Sequence, residues 1–141
     1  MSDPRRPTDA ELRILQVLWE RGQATVREVH EALEAHADQG QATGYTTVLK
    51  QMQIMLEKGL VERDESRRTH VYAPARSQDA TQRQLLRHLL DRAFSGSAGS
   101  LALAALSDRR ATPEEAEAIR RLLDEAEAAR DDGTGDDGEA R

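Results

Sequence analysis

Two groups of residues have types and spacing that could do chemistry. The first is Thr46, Thr47 and Lys50, with Gln53 and Glu57 on the same side of a helical repeat. Hydroxyls, an amide and one ammonium on one helical face suit the phosphate oxygens and base edges of a DNA major groove. Thr43, just ahead of this run, joins the candidate DNA-contacting set. The second group is Arg63, Arg67 and Arg68, which lie close together around a charged turn. Arginines on a hairpin tip reach phosphates or a narrow minor groove. Asp64 and Glu65 sit between them and weaken the basic patch. Each group has a plainer reading. Any amphipathic surface helix has a polar face, and a charged hairpin is also kept soluble by its charges. The two groups in succession favour DNA.

Other chemistry lacks support. His30, His36, His70 and His88 are not paired at i, i+4 and sit in no metal-spacing motif, so no metal ligand is expected. The acidic run from Asp131 to Gly138 has neither the spacing nor the final Glu of a calcium loop. No phosphate-binding glycine loop, nucleophile elbow or Ser/His/Asp set is present. The expectation is a protein that is not an enzyme, with no catalytic residue and no cofactor. There is no cysteine, which excludes disulfides and thiolate chemistry.

These groups need elements to hold them. A capping box of Thr8 and Glu11 opens a first helix, with Leu12, Leu15, Leu18 and Trp19 at helical spacing and Gly22 at its end. A second box, Thr25 with Glu28, opens another helix with Val29, Ala32 and Leu33 as its stripe. Asp38 to Gly44 reads as a turn. The third helix runs from about Tyr45 to Lys58, with Val48, Met52, Met55 and Leu56 on its inner side and Gly59 as its stop. Leu60–Arg63 and Thr69–Ala73 are β-capable and flank the charged turn, so they predict a hairpin. Three helices followed by a two-stranded wing make a winged helix–turn–helix domain.

From Ser77 the chain is helical again. Leu85, Leu86, Leu89, Leu90 and Phe94 mark one helix, and the small residues from Ser95 to Ser100 interrupt it. Leu101 to Leu106 predicts a short Leu/Ala helix. Thr112, Pro113 and Glu115 combine a capping box with proline at the first helical position. Ala116, Ile119, Leu122, Leu123 and Ala126 then form a stripe. Such helices bury little alone, and a two-fold dimer is the symmetric solution. The fold class is mainly α with a small β-hairpin wing. The expected organisation is a winged-helix DNA-binding domain over 1–76, a helical dimerisation domain over 77–130 and a disordered acidic tail over 131–141.

Composition is compatible with this. Among 141 residues only 3% are aromatic, so the core must come from Leu, Val, Ile, Met and Ala. The net charge of −6 is unevenly spread. Residues 1–76 hold 11 basic and 12 acidic side chains, a net of −1, and residues 77–141 hold 9 and 14, a net of −5. The first part can therefore present a local basic surface. No apolar run approaches the roughly 20 residues needed to span a bilayer, and Met1–Pro7 is not built like a signal peptide. A cytoplasmic protein without membrane insertion is expected.

The ordered series of segments resembles the penicillinase-repressor (BlaI/MecI/CopY) family of winged-helix transcriptional regulators. Pro7 to Trp19 is similar to the family's opening helix. Tyr45-Thr46-Thr47-Val48-Leu49-Lys50 and Leu56 to Val61 look like its recognition helix and exit, and Val71-Tyr72 like the returning strand of its wing. Phe94 to Asp108 with Thr112 to Glu115 resembles its dimerisation helices. The resemblance implies a homodimer that represses transcription from a palindromic operator in double-stranded DNA, with Thr46, Thr47 and Lys50 facing DNA and Arg67 and Arg68 in the wing. Some members carry arginines where Leu49 and Ile54 stand here. Copper-responsive members use a C-terminal cysteine cluster, which this chain lacks. β-Lactam-responsive members are cut at an Asn-Phe bond by a membrane metalloprotease sensor. The matching pair here, the candidate proteolytic switch region, is Ala104-Ala105. The alternatives are a winged-helix protein–protein interaction module and a regulator that senses a ligand directly, for which the few aromatics argue against a roomy pocket.

Overall fold

The computed structural model describes residues 6–36 and 43–139, with 132–139 described by backbone alone. The order is α1 (Asp9–Arg21), α2 (Val26–Ala35), α3 (Tyr45–Lys58), β1 (Val61–Asp64), β2 (Val71–Pro74), α4 (Gln78–Ala93), α5 (Ala98–Asp108) and α6 (Pro113–Glu139). The chain divides into two units after Leu89, inside α4, rather than after Arg76. The first part of α4 goes with the first unit, and its Thr81 is buried.

Helix starts are set by reciprocal side-chain caps. The Glu11 amide donates to Thr8 Oγ1 at 3.2 Å, and the Thr8 amide donates to Glu11 Oε1 at 2.9 Å. Thr25 and Glu28 repeat this at 3.2 and 2.9 Å. Each box satisfies amides that the helix itself leaves unpaired, which stabilises by about 1 kcal/mol. At the far end of α3, Gly59 takes φ 79°, and the Leu60 amide then donates to Met55 O at 2.9 Å. That left-handed turn sends the chain straight from α3 into β1.

The core of the first unit gathers Ile14, Leu15, Val17 and Leu18 of α1, Val26 and Val29 of α2, and Val48, Met52 and Met55 of α3. Leu60, Val61 and Tyr72 close it from the wing side. With so few aromatics, Tyr72 is the largest fully buried side chain, and two methionines, Met52 and Met55, help fill the same core. Trp19 lies at the edge and donates from Nε1 to Arg76 O at 3.0 Å.

The wing pairs β1 and β2 antiparallel, with Arg63 opposite Tyr72 and Asp64 opposite Val71. Ala24 adds a bridge on the other side of β2. Its amide donates to Tyr72 O at 2.9 Å, and the Tyr72 amide donates back to Ala24 O at 2.8 Å. The strand begins at Val71, not at Thr69 as the β-branched pattern predicts. The Ser66 amide donates to the Asp64 carboxylate at 2.9 Å, and Thr69 and His70 are used in the turn. The expected turn from Asp38 to Gly44 lies largely outside the described residues.

One interaction crosses the first unit. Glu11 is 4% exposed, and Lys58 Nζ donates to its Oε1 at 2.9 Å and Oε2 at 3.1 Å. The same carboxylate thus caps α1 and holds the last residue of α3.

In the second unit, Ser97 caps α5 by accepting from the Ser100 amide at 3.1 Å, so the helix starts inside the stretch expected as a break. Thr112 and Glu115 form a third capping box at 3.1 and 2.9 Å. The acidic segment from Asp131, expected to be disordered, is helical through Glu139. A helix nucleated at Thr112 propagates residue by residue, because only the first turn is costly. No residue of α5 is buried within the chain.

Glu11→Ala should lower unfolding free energy by about 2 kcal/mol in a urea titration, since it strands the Lys58 ammonium and the Thr8 amide together. Glu11→Gln, which keeps an amide-oxygen acceptor, should cost less. The carboxyls of Glu28 and Glu115 are held below the ordinary 4.5 by the backbone amides of Thr25 and Thr112, then by their hydroxyls. A depressed folded value stabilises above the unfolded value and is lost as pH falls through the folded one. Acid unfolding should therefore begin below about pH 4.5, and Glu28→Gln should flatten that limb of the stability profile.

Candidate nucleic-acid interface

The inner side of α3 is settled by Val48, Met52 and Met55, all with no exposed surface. At 3.6 residues per turn the opposite side carries Thr46, Lys50, Gln53 and Glu57, and all four are exposed. Thr47 and Ile54 lie beside them on a second line of surface that also passes through Lys50. Thr46, Thr47 and Lys50 therefore share one outward surface. Glu57 lies at its far end, so the acidic group is the one most distant from the helix N-terminus. Thr43 is placed elsewhere. It is half-buried and lines a cleft of about 290 Å³ on the other flank of α3, with Arg13, His36 and Gln51.

Between the start of α2, α3 and the wing lies a second cleft of about 350 Å³. Arg27, Tyr45, Gln53, Arg63, Arg68 and His70 are among its lining residues. Tyr45 is oriented from behind by His30, whose ring meets it edge-on with centroids 5.9 Å apart and planes at 86°. His30 Nε2 lies 3.3 Å from Glu34 Oε1, one turn along α2.

The acidic residues of the wing are engaged mainly by partners other than its outer arginines. Glu65 pairs with Arg63, whose Nη1 also donates to the Tyr72 hydroxyl at 3.5 Å. The Tyr72 hydroxyl first, and then Glu65, push the Arg63 guanidinium above its already high ordinary value. The Asp64 carboxyl accepts from Ser66, hydroxyl and amide both, and is held below the usual carboxylate range, with Arg67 adding to the effect. Arg67 and Arg68 both stand exposed, and Arg68 borders the cleft. The three arginines thus play two different parts. Arg63 fastens the hairpin to its buried tyrosine, and Arg67 and Arg68 face outward.

Two residues escaped sequence reasoning. Arg27 enters the cleft from the second position of α2, and the Thr25–Glu28 box was the signal that placed it at a helix start. Lys58 reads as the ordinary basic end of a helix, and nothing in its local pattern points to Glu11. Ala104 and Ala105 are exposed in the middle of α5, in the other unit. Among the described residues no three His, Cys, Asp or Glu side chains gather as a metal site, and no helix is long and apolar enough to cross a membrane.

Comparison with known proteins gives consistent results. Residues 7–125 match the penicillinase repressor family. The transcriptional regulator BlaI of Mycobacterium tuberculosis is 36% identical over 129 residues, covering 91% of this chain and 90% of the relative. Among solved structures, the DNA-binding domain of the repressor BlaI aligns with a TM-score of 0.46 at 22% identity, over 55% of this chain and 90% of that one. RosR from H. salinarum aligns with a TM-score of 0.47 at 21% identity, over 90% of this chain and 99% of that one. Three helices, a wing pinned to a buried tyrosine and a family match over most of the chain lead to one conclusion: the protein belongs to the penicillinase repressor family, whose members are DNA-binding transcriptional repressors of winged-helix fold and not enzymes.

Proposed function

We propose that this protein is a cytoplasmic homodimeric repressor that binds a palindromic operator, with α3 in the major groove and the wing on the adjacent backbone. The observation that carries this reading is the exposed surface of Thr46, Thr47 and Lys50 opposite a fully buried apolar side, next to a wing that turns Arg67 and Arg68 outward. Hydroxyls and a lysine near the helix N-terminus suit base edges and phosphates, and wing arginines suit backbone or minor groove. Arg27 at the start of α2 adds a further candidate phosphate contact.

The dimer is supported by the second unit. Leu101 to Leu106 of α5 is apolar on every side, and a helix of that kind belongs in a core. Within one chain Leu103 is 71% exposed and Leu122 of α6 is 66% exposed. A second copy offers matching surface by two-fold symmetry. Joining two reading units then multiplies their affinities for a two-fold site, because the second half-site is met at high effective concentration.

Release by proteolysis fits the same place. A cut at Ala104-Ala105 by a membrane metalloprotease sensor divides α5 and detaches α6 from the reading unit. A helical segment must open locally to enter a protease, so cleavage and dimer stability oppose each other.

The reading is tested by fluorescence-anisotropy titration of the protein against DNA from upstream of its own gene and against scrambled DNA, at two salt concentrations. Tight, salt-sensitive and selective binding with one dimer per site is the expected result. Absence of binding at low salt would favour the protein-contact module instead. Lys50→Ala should weaken operator binding by about tenfold. Joint replacement of Arg67 and Arg68 by Ala should reduce the slope of log K against log salt by about one for each phosphate contact removed. A chain ending at Leu89 should sediment as a monomer, and persistence of the dimer would refute the role given to α5 and α6.

A further inference from the structure

We infer that Ile54 reads a thymine methyl group in the operator, an assignment that rests on the α3 interface proposed above. Ile54 is 39% exposed although the apolar side of α3 is packed by Val48, Met52 and Met55. A single exposed aliphatic side chain is ordinary on a protein surface, but the place of this one is not neutral. It follows Lys50 by four residues and Thr47 by seven, so the three lie along one line of helix surface. That line belongs to the outward face assigned to DNA.

The chemistry of Ile54 restricts what it can meet there. Its side chain has no donor or acceptor and takes no part in hydrogen-bonded readout. A β-branched residue is also a poorer helix former on a solvent face than the lysine and glutamine beside it. The major groove floor presents one apolar feature, the C5 methyl of thymine, and that methyl distinguishes T·A from the other pairs. Cytosine in the same place offers a bare C5 and gives the isoleucine no methyl to cover. Four residues of helix rise about 6 Å, so the methyl lies within about two base-pair steps of the group that Lys50 takes. The neighbouring Gln53 reads hydrogen-bonding edges from the other side of Lys50, and the apolar and polar readouts are side by side on one helix.

The test removes the methyl group and nothing else. The full-length protein first selects binding sequences from a random duplex pool. Each thymine of the selected sequence is then replaced singly by deoxyuridine, and binding is followed by anisotropy. One thymine in each half-site should respond, with wild-type affinity falling about fourfold per half-site, the loss for one buried methyl-sized group. Ile54→Ala should bind the thymine and uracil duplexes equally and still prefer the selected sequence at its other positions. Ile54→Val should retain part of the difference. A selected sequence in which no thymine responds, or a response unchanged in Ile54→Ala, overturns the assignment and leaves the α3 interface standing. Failure to select any sequence overturns the interface and the assignment together.

Discussion

The first unit depends on one buried carboxylate. Glu11 closes the start of α1 and grips the ammonium at the end of α3. A helix whose outer face serves as a binding surface must be held at a fixed angle, and the hydrophobic effect that packs its inner side is non-directional. The ion pair adds direction to that packing, because a nearly buried carboxylate is stable only with its partners in place. Gly59 completes the constraint by turning the chain out of α3 immediately after Lys58. The position of the outward surface is thus fixed at the end remote from it.

The wing depends on an equivalent anchor. Tyr72 is the largest buried side chain, it is bracketed by Ala24 on one edge and Arg63 on the other, and its hydroxyl receives the guanidinium. A two-stranded ribbon alone is marginal in water. The bridge to Ala24 gives it a third neighbour, and the tyrosine gives it a core. The outer arginines can then be flexible without loosening the strands that carry them.

Much of this was legible in the residues. The extent of α3 follows from Gly44 and Gly59, and its inner side from the spacing of Val48, Met52 and Met55. The capping boxes at Thr8, Thr25 and Thr112 mark helix starts because the physics of unpaired amides is local. What was not legible is what depends on partners far away in the chain. The Glu11–Lys58 pair joins residues on different helices, and neither betrays the other by pattern. The division of labour among Arg63, Arg67 and Arg68 depends on which of them lies opposite Tyr72, and that is a matter of strand register. Thr43 is close to the outward surface in sequence, but it lines the cleft on the other flank of α3.

The bare apolar surface of α5 has a consequence for how the protein's amount is read by the cell. In the homodimer proposed above, in which a second copy covers this helix, the assembled species scales with the square of protomer abundance when the protein is scarce. Occupancy of a regulatory site then changes more steeply than synthesis does. In that dimer a modest change in production or turnover becomes a sharper change in output, set by the strength of the interface between the copies.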